Sequence, residues 1–365
     1  MSSSRFIGSH VADELLRYGY RVRALDSLSP QVHGPDAQRP DYLDPEVELL
    51  VGDVRDPDRV REALKGVDAV IHLAAKVGVG QSMYQICDYT SANNEGTAVL
   101  LEALIERPVS RLVVASSMSI YGEGLYRTGQ GRLVAGADRP REQLERHEWE
   151  LRDSRGVPLR PVPTPENKPP ALTSVYALSK YDQERMCLIV GQAYQIPTVA
   201  LRFFNVYGTR QALGNPYTGV LAIFASRLLN RKRPLIFEDG LQQRDFVHVT
   251  DIAQACRRSL ERPEAAGAAY NIGGGQSYTI REIAERMGQV MDCSDIEPEI
   301  TGRYRVGDIR HCFANISRAR QVLGYEPVVT LERGLTELAS WLEGQVAVDR
   351  ADEAREELAL RGLTV

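Results

Sequence analysis

Apolar residues gather in runs of strand length at 21–25, 47–51, 69–73, 111–115 and 198–203. Between them, over 9–18, 56–64, 94–105 and 175–194, apolar positions return every third or fourth residue, the period of a helix with one buried face. That strand, helix, strand cadence predicts an α/β fold with a doubly wound parallel sheet covered by helices on both faces. Sheets of this kind bind nucleotides at the carboxyl ends of their strands. After Gly208 the cadence loosens, with turn formers at 216–219, 231–234 and 273–275, so a smaller second domain is expected to begin there.

The first helical pattern opens on Phe6, Ile7 and Gly8, where a glycine-rich turn should deliver a pyrophosphate to free backbone N–H groups. Only the last glycine of such a turn is present, since Arg5 and Ser2 stand three and six residues before Gly8. A first strand of roughly five or six residues and a full turn are therefore expected ahead of Phe6, and their loss would leave two strand edges open and weaken cofactor binding. Downstream, Asp26 ends one strand run at the right distance to accept both hydroxyls of an adenosine ribose, although an ordinary turn aspartate would look the same. Asp53 and Val54 end the next run, and Leu73, Ala74 and Ala75 close a third with residues small enough for close backbone approach or for helix packing.

Composition narrows the partners. The chain of 365 residues is 43% hydrophobic and carries 44 Lys and Arg against 49 Asp and Glu, so its net charge of −5 recruits neither nucleic acid nor an anionic membrane surface. No apolar run reaches membrane-spanning length and no leader pattern is seen. Five scattered cysteines without a paired spacing predict neither disulfides nor zinc, and suit a reducing cytoplasm.

Chemistry concentrates in two segments. Ser116-Ser117-Met118-Ser119-Ile120-Tyr121-Gly122 follows a strand run, and Tyr176-Ala177-Leu178-Ser179-Lys180 opens a later helix. Tyr176 and Lys180 lie four apart and so share one helical face. A phenol titrates near ~10, and a nearby ammonium is expected to lower it toward use as a base, with Ser117 sharing the proton. His72 and His248, in apolar surroundings, are expected to be packed or hydrogen-bonded.

With FIGSH, GDVRD, IHLAA, Asn93-Asn94-Glu95-Gly96-Thr97, SSMSIYG, SVYALSK, LRFFNVYG, RDFVHVTDIA, YNIGGG and RYRVGDIRH in this order, the chain resembles the extended short-chain dehydrogenases that act on nucleotide sugars. The resemblance implies a Rossmann-type domain, NAD as cofactor, a nucleoside-diphosphate sugar as substrate and a homodimer. It implies that Ser117, Tyr176 and Lys180 are catalytic, with Ser117 also touching substrate. It further implies that Phe6, Ile7, Gly8, Asp26, Asp53, Val54, Leu73, Ala74, Ala75, Asn93, Tyr176 and Lys180 contact NAD, and that Asn205, Arg244 and Arg305 hold the sugar nucleotide. Both arginines suit a diphosphate because a guanidinium meets phosphate oxygens in a fork, while a structural pair of Arg244 with Asp245 or Asp251 is the alternative.

The implied organisation is a nucleotide-binding domain over 1–208 with a chain return at about 244–275, a smaller α/β substrate domain over 209–243 and 276–345, and a helical tail over 346–365. Dehydratases of the family carry an Asp-Glu pair where this chain has Met118-Ser119, which favours oxidation and re-reduction at C4 of the sugar. The resemblance is strongest to bacterial 4-epimerases of dTDP-L-rhamnose, with UDP-glucose epimerases as close relatives. A non-catalytic sugar-nucleotide binder and a one-way reductase are the other readings. An insertion at about 123–172 departs from the family pattern and is expected to be a lid, a docking surface or a mobile loop.

Overall fold

The structure is a computed structural model that describes residues 6–34, 38–215, 217, 219–305, 307–345 and 349–364. Residues 1–5, with Ser2 and Arg5, lie outside the described residues.

The five strand runs of the sequence become parallel strands, and a sixth joins them. They are β1 (Arg23–Asp26), β2 (Glu48–Val51), β3 (Ala69–His72), β4 (Arg111–Ser117), β5 (Thr198–Phe203) and β6 (Ala268–Ile272). β3, β4, β5 and β6 pair in that order, while β1 and β2 pair with each other. Among the described residues no strand bridges β1 and β3. Every residue of β4 and β5 is buried, as a parallel strand covered on both faces requires.

Alternation along β4 separates the two layers. Val113 and Ala115 pack with Val11 and Leu15 of helix α1 (Phe6–Arg17) and with Ile252 and Ala255. Leu112 and Val114 pack instead with Leu100 and Leu104 of α2 (Gly96–Glu106) and with Cys187 of α3 (Val175–Ala193). α2 begins two residues later than its periodicity suggests, because a wider π-type turn occupies Ser91–Glu95.

A separate apolar core gathers Leu221, Phe224, Ile283, Leu335 and Leu338 from three helices of the smaller domain. Residues expected in that domain at 312–325 divide from it: Cys312, Ala314, Ile316, Ala319, Leu323 and Tyr325 pack into the β4–β5 core. The insertion contains three short antiparallel strands, Leu125–Arg127 paired with Leu133–Ala135 and with Arg160–Val162. It docks through buried charge, since Arg310 pairs with Glu150 at 2.6 Å, Glu238 at 2.9 Å and Asp239 at 2.6 Å, while Arg139 pairs with Glu238 at 2.7 Å. No helix of the described residues is long and apolar enough to cross a membrane.

Candidate active site

β4 ends at Ser117, and α3 starts with Ser174 as its cap, the Ser174 hydroxyl accepting from the Ala177 N–H at 3.1 Å. Tyr176 donates its own N–H to Ser82 Oγ at 3.0 Å, so a short helix distant in the chain, Val79–Ser82, fixes the first turn of this helix. The Tyr176 phenol hydrogen-bonds with the Ser117 side chain, and Ser117 Oγ also accepts from Ser119 Oγ at 2.8 Å. Burial raises the Tyr176 pKa and the Ser117 bond opposes the rise.

One helical turn on, Lys180 is buried, and burial pulls its ammonium down to about 8. The expected lowering of the phenol by Lys180 is not what this geometry produces. The ammonium instead donates to Gln183 Oε1 at 2.7 Å, and Gln183 donates to Thr97 Oγ1 at 2.8 Å and to the Ala74 carbonyl at 3.2 Å. Lys180 thus serves a polar chain that ties α3 to the end of β3. The i, i+3 spacing of Lys180 and Gln183 was a readable signal for this contact, whereas nothing local pointed to Ser82.

The remaining candidates fall along the carboxyl edge of the sheet. Asp26 is buried at the end of β1, where its Oδ1 accepts from the Leu28 N–H at 2.8 Å and its Oδ2 lies 3.5 Å from His33 Nε2. Asp53 is clasped by Arg55 at 2.6 and 2.9 Å, a hydrogen bond that holds its carboxyl below the usual range. Val54 is buried beneath Gly96, where a Cβ would meet it at 2.5 Å. Leu73 and Ala75 are half-buried and Ala74 is buried. Asn93 spends its amide on the protein, accepting from the Lys76 N–H at 2.7 Å and donating to Ser179 Oγ at 2.8 Å. Phe6, Ile7 and Gly8 form the first turn of α1.

Toward the smaller domain, Asn205 donates to the Asp245 carbonyl at 3.0 Å. Arg244 donates to the carbonyls of Gln243, Ile309 and Arg310 and stands 4.0 Å from Asp308. The alternative pairings with Asp245 and Asp251 do not form. Asp245 accepts instead from the N–H groups of Gly274, Gly275 and Ala314, and Asp251 from those of Val328 and Val329. Arg305 pairs with Asp308 at 2.9 Å and lies over the Phe237 ring. His72 and His248 are buried, bonded to Thr97 Oγ1 at 2.9 Å and Thr250 Oγ1 at 2.8 Å.

These residues fit a dinucleotide. A carboxylate ends β1, small residues follow β3, and a buried ammonium that bonds one acceptor with three N–H groups stands beside a serine-bound phenol.

A family model described as NAD dependent epimerase/dehydratase family matches residues 3–144 and 156–273. The break between the two matched segments lies inside the insertion. Among curated proteins, the dTDP-L-rhamnose 4-epimerase of Burkholderia thailandensis is 34% identical over 92% of both chains. The UDP-glucose 4-epimerase of Halalkalibacterium halodurans is 29% identical over 88% of both. The solved UDP-glucose 4-epimerase of Thermotoga maritima with UDP-glucose superposes with a TM-score of 0.75 at 26% identity, over 94% of this chain and 97% of that one. The Thermus thermophilus UDP-glucose 4-epimerase complex with NAD gives 0.73 at 28%, over 94% and 98%.

Proposed function

The chain belongs to the NAD-dependent epimerase/dehydratase family as a nucleotide-sugar epimerase, and on that premise we propose that it inverts C4 of dTDP-L-rhamnose. The observation that carries the chemistry is the half-buried Tyr176 phenol held by Ser117, one turn from Lys180. Bound NAD supplies a hydride acceptor that later returns the hydride to the same carbon. Tyr176 takes the proton of the sugar 4-hydroxyl as the C4–H bond breaks, and gives it back when the 4-keto sugar is reduced on its other face. Ser117 orients the phenol and the sugar oxygen. Lys180, which gives one N–H to Gln183 and has others to spare, holds the cofactor ribose. Arg244 and Arg305 take the diphosphate, and Asn205 the sugar nucleotide between them and Tyr176.

Met118 and Ser119 offer no acid or base for removing water, which supports epimerisation over dehydration. The choice of dTDP-L-rhamnose is supported by the 34% identity to the Burkholderia enzyme. Exposed Leu178 (46%) and Ile189 (56%) on α3 support pairing with a second copy of the chain, and light scattering in solution tests it.

To test the reaction, the purified protein with NAD is incubated with dTDP-L-rhamnose and with UDP-glucose, and the sugar H4 signal is followed by NMR. Inversion of the rhamnosyl nucleotide without net cofactor consumption is expected. Turnover of UDP-glucose alone would move the substrate assignment, and stoichiometric oxidation of NADH in a parallel incubation with NADH in place of NAD would replace epimerase by reductase.

A further inference from the structure

Two backbone carbonyls set the direction of the hydrogen bonds around Lys180. The Ala74 carbonyl can only accept, so the Gln183 side chain turns its amide nitrogen toward it, at 3.2 Å. The second N–H of that nitrogen goes to Thr97 Oγ1 at 2.8 Å. Thr97 in turn gives its own proton to the Asn93 carbonyl at 2.6 Å, which leaves its lone pairs for Gln183 and for His72 Nε2 at 2.9 Å. With both N–H groups spent, the Gln183 amide has one orientation, and its Oε1 faces the Lys180 ammonium at 2.7 Å.

Gln183 and Thr97 are fully buried, and Lys180 is buried with them. Among the described residues the bond to Gln183 is the one hydrogen bond of the Lys180 ammonium. Glu184, one turn further along α3, is committed to Arg202 at 2.6 Å and to Ser116 at 2.6 Å. A single neutral acceptor therefore fixes the ammonium without neutralising it, and two of its N–H groups stay unspent.

We propose that Gln183 is a positioning residue for the cofactor: its amide, unable to turn, holds Lys180 Nζ where the two unspent N–H groups meet the ribose with the full charge of the ammonium behind them. This rests on the reading of Lys180 as the group that holds the ribose.

The consequence is a pH dependence of NAD binding. Burial brings the ammonium down to about 8, and a charged donor makes the stronger hydrogen bond, so affinity should fall as the pH rises through about 8. The other groups facing Lys180 keep their charge across that range. His72 on β3 is held to about 3, the Cys187 thiol is pushed up to about 12, burial raises Tyr176, and Glu184 is ion-paired with Arg202.

Calorimetric titration of the full chain with NAD from pH 6.5 to 10, with a melt of each protein, tests the proposal. Gln183→Met removes a bond that favours the charged form and should move the alkaline fall in affinity about one pH unit lower. Gln183→Glu sets an anion beside the ammonium and should move it about one unit higher. Should either variant fail to fold, Thr97→Val makes the test from the other end of the chain of bonds, since it frees one amide N–H and should move the fall in the same direction as Gln183→Met. A packing role alone would lower the melting temperatures and leave the fall in place, so folded variants that share the parent's pH curve overturn the positioning role. A parent that binds no NAD, or binds it equally well on both sides of pH 8, overturns the reading of Lys180 beneath it, a result distinct from unshifted variants.

Discussion

At Tyr176 two effects oppose each other: burial disfavours the phenolate, and the Ser117 hydrogen bond favours it. Tyr176→Phe removes the group that accepts the sugar proton without removing volume, so kcat should fall by about 10²–10⁴-fold while the thermal midpoint stays close to that of the parent. Ser117→Ala should cost less, because the phenol remains. A turnover assay paired with a melt checks both. Asn93, whose side chain bonds Lys76 and Ser179, shows how a residue of the right type at the right place can be committed to the scaffold. Its amide holds the loop after β3 against α3, and that use is invisible in a one-dimensional string.

Elements meet where side chains are small or charges are enclosed. Gly191 lets the end of α3 lie on β5, since a Cβ there would come within 2.2 Å of Thr198 Oγ1 and 2.8 Å of the Ile196 carbonyl. Gly191→Ala should therefore destabilise by about 1–3 kcal/mol in denaturant unfolding. The insertion offers the opposite case. Arg310 is fully buried against Glu150, Glu238 and Asp239, so Arg310→Met takes the buried cation from all three, leaving Glu238 with Arg139 and Glu150 with His311, and should cost about 3 kcal/mol, somewhat less than a sealed network would because Glu150 and Asp239 are each about one-third exposed. The same unfolding measurement decides it. These pairs join the insertion to the rest of the chain.

For the whole molecule, pH acts through buried histidines. Burial holds His10 down to about 4 and His72 to about 3, so both are neutral in the folded protein. Their folded pKa values lie below the unfolded value of about 6.5, so the stability they contribute is present above pH 6.5 and is lost as the pH falls toward 4 and then 3. Stability should drop by several kcal/mol across that window, since each pH unit by which a group's folded pKa lies below 6.5 is worth about 1.4 kcal/mol. His72→Gln should flatten the lower part of the curve, and guanidinium unfolding at stepped pH measures it. A curve that stays level from pH 6.5 to 4 would overturn the argument.

Much of this architecture was legible in the sequence because strand and helix periods are local: β4 and β5 carry the apolar runs 112–115 and 199–201, and Tyr176 and Lys180 share a face simply by standing four apart. Ser117 at the end of a strand run and the absence of carboxylates at 118 and 119 were equally readable. What only the tertiary structure decided joins residues far apart in the chain. Ser82 reaches Tyr176 across 94 positions, Arg310 reaches Glu150 across 160, and the chain after Cys312 returns to the first core. Lys180 spends its hydrogen bond on Gln183, and Tyr304 is buried beside Trp149, 155 positions away. Such contacts carry no period, because they depend on which surfaces meet when the core excludes water, and that meeting is settled by packing of the whole chain rather than by any segment of it.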